Sequence, residues 1–148
     1  MKKFLATIFI FVVFFLSGCS AEKNSEPVQN EAIDMNIKII VGEKIFNATL
    51  EDNQTAREFI KKLPLEVDMS ELNGNEKYYK FAENFTSDDK NIGEIHAGDL
   101  MLYSSSYVVL FYKNFSTSYS YTRLGKIDNP QNLSEIVGGD NIRVRFEK

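Results

Sequence analysis

Three side chains at alternate positions, Tyr119, Tyr121 and Arg123, offer the most promising chemistry in this 148-residue sequence. Alternate residues of a strand share a face. Two phenol rings and a guanidinium in a row suit a groove wall, the rings giving contact area and the Arg a charged donor. The same row also suits an ordinary half-exposed sheet face held by cross-strand aromatic pairs. Tyr103 and Tyr107 flank Ser104-Ser105-Ser106, where they could line the same groove or close a hairpin. Turn geometry explains Asn73-Gly74 but not Glu76-Lys77-Tyr78, which makes that triplet, and Tyr78 in particular, a further candidate ligand contact.

Several other chemistries are excluded or weakened. His96 is the one His and Cys19 the one Cys, so neither a zinc site nor an internal disulfide can be built. Ser105 and Ser106 lack a nucleophile-elbow context, and Asp88-Asp89 reads as a solvated loop. No metal and no cofactor are expected. The net charge is −4; without Lys2 and Lys3 the 17 basic residues fall to 15 against 21 acidic ones, a net −6. With no basic run, nucleic acid is a poor partner, because phosphate contacts need clustered Lys or Arg.

The elements that must position these residues are mostly strands. Gly98 to Ile127 reads as three in succession. Leu100 to Tyr103 is a short apolar run. Tyr107 to Tyr112 is apolar on both faces and should be covered on both sides. Ser116 to Arg123 alternates. Before this stretch, Asn36–Val41 and Lys44–Leu50 form a hairpin about Gly42-Glu43. Asn53 to Leu63 is the one good helix, with Ala56, Phe59, Ile60 and Leu63 on a stripe, Thr55 and Glu58 as a capping box, and Pro64 as its stop. Leu65–Ser70, Glu76–Phe81 and Asn141–Glu147 are further strands, and Ile92–His96 is strand-like. Asn132 to Val137 is one helical turn closed by Gly138-Gly139. About eight short strands and one real helix in some 110 residues argue a closed barrel or a sandwich.

The amino end carries an address. Lys2-Lys3 precedes an apolar run, Phe4 to Leu16, too short for a comfortable membrane span. Leu16-Ser17-Gly18-Cys19 resembles a bacterial lipobox. That resemblance implies cleavage before Cys19 and a lipid on its sulfur, and two acyl chains anchor stably where one does not. The expected organisation is a lipoprotein signal peptide at 1–18, a flexible polar tether at 19–34 and one folded domain at 35–148. The expected location is the bacterial cell envelope, lipid-anchored on the extracytoplasmic face.

Within the domain, Thr49-Leu50-Glu51-Asp52-Asn53-Gln54-Thr55-Ala56-Arg57-Glu58-Phe59 with Leu63-Pro64 resembles the strand-to-helix segment of cyclophilins. Leu124-Gly125-Lys126-Ile127, before a short helix and a final strand, resembles their carboxyl-terminal end. Asn73 to Tyr78, Ala97 to Tyr103 and Phe115 to Gly125 together are similar to a small bacterial cyclophilin-like family of uncharacterised proteins, over essentially all of Met35 to Lys148. The resemblance implies a mainly β fold: a closed eight-stranded antiparallel barrel with one capping α-helix and a short second helix. It implies no established reaction. The residues of prolyl isomerases are missing here. Tyr78-Tyr79-Lys80-Phe81 stands where those enzymes have an Arg, Tyr107 to Phe111 has no Gln, and Tyr121 stands where their His falls. The expectation is a membrane-anchored module that binds an extracytoplasmic peptide or small ligand, with Tyr78, Tyr103, Tyr107, Tyr119, Tyr121 and Arg123 as candidate contacts. The alternative is a weak, divergent peptidyl-prolyl isomerase acting on exported proteins, with Arg123 as donor.

Overall fold

A computed structural model of the chain describes residues 32–148. The expected signal peptide, Cys19 and most of the expected tether lie outside the described residues. The strands are β1 (Asn36–Val41), β2 (Lys44–Leu50), β3 (Leu65–Leu72), β4 (Glu76–Lys80), β5 (Lys90–Ile95), β6 (Asp99–Tyr103), β7 (Tyr107–Phe111), β8 (Phe115–Ile127) and β9 (Ile142–Glu147). The helices are α1 (Gln54–Ile60) and α2 (Leu133–Val137).

Every pairing is antiparallel. The sheet runs β2-β1-β9-β3-β4-β7-β6-β8, and β2 pairs β8 to close the cylinder. Closure leaves those eight strands without free edges. The fold is thus the expected eight-stranded barrel, with β5 as one strand outside it.

Two cores result. In the lumen, alternate residues of every wall strand meet, among them Ile39, Ala48, Met69, Leu100, Leu102, Val108, Leu110, Val144 and Phe146. Helix α1 plugs this core with Ala56, Phe59 and Ile60, and Phe59 packs edge-on against Phe146 at 5.4 Å between ring centres. Leu133 and Val137 of α2 enter the same core. The second core lies on the outside of the wall. Met101, Val109 and Phe111 face outward from β6 and β7 and are covered by Ile95 and Tyr121. The double-sided apolar character of β7 has this cause: Val108 and Leu110 point in, Val109 and Phe111 point out under a cover.

The helix cap differs from the expected capping box. Helix α1 begins at Gln54, and Asn53, two residues before Thr55, is the cap, its Oδ1 accepting from Ala56 N at 2.8 Å. Such a cap is worth about 1 kcal/mol. Thr55 is buried and donates to Thr86 O at 2.6 Å, while Glu58 accepts from Thr86 N and Oγ1. The two residues therefore fasten the 81–89 loop to α1 rather than closing the helix end.

Candidate functional site

Strand β8 builds the site because it is longer than the barrel needs. Its second half, from Thr122 onward, pairs with β6 and β2. Its first half, Phe115 to Tyr121, pairs only with β5, making a two-stranded ribbon. Ile95 on β5 and Tyr121 on β8 turn the ribbon's apolar side against the outside of β4, β7 and β6. Between the ribbon and the wall is a groove of about 580 Å³, a volume typical of small-molecule and cofactor pockets.

Tyrosines dominate its lining. Tyr78 comes from β4, Tyr103 from β6, Tyr107 from β7, and Tyr119 and Tyr121 from β8. Tyr103 is the hub: its ring centre lies 6.2 Å from Tyr107, 6.1 Å from Tyr119 and 5.5 Å from Tyr121. Tyr78 joins through Tyr107 at 6.0 Å. Pairs of this geometry contribute about 0.5–1.5 kcal/mol each beyond simple burial. The cluster runs from buried to open: Tyr121 is 5% exposed, Tyr103 38% and Tyr119 62%. Burial, then the charge of Glu76, pushes the Tyr121 phenol up to about 12, so it stays protonated and able to donate.

The floor is acidic. Glu76 opens β4 opposite Phe111 and lines the groove beside Asn75. Burial, with the nearby charge of Glu71, pushes the Glu76 carboxyl up to about 7. Asn75 Oδ1 is buried with no hydrogen-bond partner among the described residues.

The groove thus gathers five of the six expected contacts: Tyr78, Tyr103, Tyr107, Tyr119 and Tyr121. Arg123 is not among its lining residues. It shares their face of β8, opposite Met101, but lies further along, with Nη1 3.9 Å from Oδ1 of the buried Asp99 and its backbone oxygen accepting from Asn53. Of the triplet at 76–78, Glu76 and Tyr78 line the groove. Lys77 points the opposite way and is fully buried in the barrel, held by Glu71, by Asp140 O at 2.6 Å and by the Tyr112 ring face. Phe115 and Thr117 also line the groove. Their signal was the odd-number parity they share with Tyr119 and Tyr121. His96 is exposed, its Nδ1 3.9 Å from Asp99 Oδ2. Among the described residues no three His, Cys, Asp or Glu side chains are grouped to hold a metal, and no helix is long and apolar enough to cross a membrane.

A closed barrel plugged by a helix, with an aromatic groove on its outer wall, defines a cyclophilin-type domain. The chain belongs to the cyclophilin-like family, whose model matches residues 39–147. It is also similar to the solution structure of a hypothetical protein from Archaeoglobus fulgidus. That match has a TM-score of 0.55 at 18% identity and covers 80% of this chain and 98% of the other. At that identity the likeness is one of fold. No curated protein matches the sequence.

Proposed function

We propose that this protein is a lipid-anchored binding module of the bacterial cell envelope. Its cyclophilin-like domain would hold a peptide segment or small ligand in the tyrosine groove. One observation carries the reading: five tyrosines from four different strands converge on a single groove. Convergence from separated sequence positions is what a ligand site requires, and rigid rings lose little conformational entropy on binding. The anchor rests on Leu16-Ser17-Gly18-Cys19 and the apolar run before it.

A divergent prolyl isomerase with Arg123 as donor has less support. Prolyl rotation must cross a barrier of about 18–20 kcal/mol, and a donor lowers it only from within the groove. Arg123 sits instead beside Asp99.

Two measurements test the proposal on the full chain in detergent. The chain has no Trp, so tyrosine fluorescence can be read directly during titration with short peptides and small aromatic fragments. A ligand of the groove should bind at least about tenfold more weakly to Tyr103→Ala, which removes the hub of the cluster. A ligand set whose affinities ignore that substitution would place binding elsewhere, and isomerase turnover lost in Arg123→Ala would favour the enzyme. For the anchor, radiolabelled palmitate should enter the wild type and not Cys19→Ala; equal labelling would refute lipidation at that sulfur.

A further inference from the structure

The chemistry of the groove is one-sided. Its lining holds five tyrosines, one Phe, several uncharged polar residues and a single ionisable carboxyl, Glu76, with no Lys or Arg. No hydrogen bond and no cation within ion-pairing range holds that carboxyl among the described residues. A carboxyl without donors, beside several ring faces, makes a site short of positive charge. Aromatic faces attract ammonium groups through the ring quadrupole, and the attraction strengthens when the cation is desolvated. The cluster already shows this affinity at its edge, where Lys80 Nζ, itself not part of the lining, lies 5.2 Å from the Tyr107 ring centre.

Building on the proposed role of the groove, we infer that its ligand carries an alkylammonium group, seated against the tyrosine faces with Glu76 as its counter-ion. Tyr103, Tyr107 and Tyr121 would supply the ring faces. An anionic ligand, or the phosphate of a zwitterionic one, would find no cation among the lining side chains. The presence of a carboxyl in the groove is explained by this reading. Burial and the charge of Glu71 make its ionised form costly, and a bound cation is what would offset that cost.

The test compares three probes on the full chain in detergent. These are choline, its uncharged isostere 3,3-dimethyl-1-butanol, and Nα-acetyl-lysinamide, which presents a primary ammonium as a peptide would. Tyrosine fluorescence reads binding at about pH 8, above the Glu76 value, where that carboxyl is charged. At least one ammonium probe should bind about tenfold more tightly than the isostere. Glu76→Gln should remove that preference, with far-ultraviolet circular dichroism reporting that the variant is folded. Tyr103→Ala should weaken all three. The tighter of the two ammonium probes separates a small quaternary cation from a lysine-bearing peptide. Equal binding of choline, lysinamide and isostere, all dependent on Tyr103, would overturn the inference and leave the groove as a binding site. Ammonium binding indifferent to Glu76→Gln would overturn it as well. Binding of no probe at millimolar concentration would overturn it, and if peptides and aromatic fragments also fail, the groove reading falls with it.

Discussion

Glu76 and Lys77 are adjacent in sequence and opposite in setting. Lys77 is wholly enclosed, its ammonium shared among Glu71, Asp140 O and the Tyr112 ring. Burial works to raise the Glu71 pKa, but the bonds from Lys77, Tyr112 and Gly74 outweigh it and hold the carboxyl below its ordinary value. Removing the cation leaves a partly enclosed carboxylate unpaired. Lys77→Met should therefore destabilise the fold by about 3 kcal/mol, read as a lower urea midpoint with unchanged slope. Glu76 has the opposite linkage. Its folded-state value of about 7 exceeds its ordinary 4.5, so the folded state prefers the proton. The stability tied to it is complete below about pH 4.5 and is lost as pH rises through about 7. Since the group keeps partial access to solvent, the loss should amount to about 1 kcal/mol. Denaturation midpoints between pH 5 and 8 should fall for the wild type and stay flat for Glu76→Gln. Parallel slopes in the two proteins would remove this account of the carboxyl.

At the scale of elements, barrel closure depends on one close approach. A Cβ on Gly125 would lie 2.4 Å from Thr49 O and 2.6 Å from Leu50 Cα, both backbone atoms of the β2–β8 seam. Neither can withdraw without breaking the seam. Gly125→Ala should cost at least about 3 kcal/mol and expose the core to a hydrophobic dye; a thermal midpoint within a degree or two of wild type would show that the seam can yield. Most elements could be read from the sequence because each has a single wet face. In residues 45–50 and 142–147, inward and outward residues alternate without interruption. Strand β5 was legible only in part, since Ile92 and Ile95 are three apart and Gly93 lies between them. A register shift between Asn91 and Gly93 brings both onto the second core, and no two-residue rhythm reports a shift of that kind. Phe85 is buried in a segment otherwise polar enough to read as a surface loop. The tyrosine face of β8 was legible from parity. Arg123 shares that parity but lies past the ribbon, because parity specifies a face and not a position along it.

For the whole molecule, stability should be graded from cylinder to ribbon. Wall strands are bonded on both edges, whereas β5 is bonded only to β8, and residues 115–121 of β8 only to β5. Local opening of such a pair breaks few contacts compared with global unfolding. Amide hydrogen exchange should be faster at residues 90–95 and 115–120 than at 122–127 of the same continuous strand; uniform protection along β8 would mean that ribbon and barrel open together. A single strand thus serves two masters, a closed tube at one end and a two-stranded ribbon at the other. The ribbon is one jaw of the tyrosine groove, so its local opening would change the width of that groove while the cylinder keeps its shape. On the binding role proposed above, a site built this way would grip guests of unequal girth, with the fit set at the moment of capture.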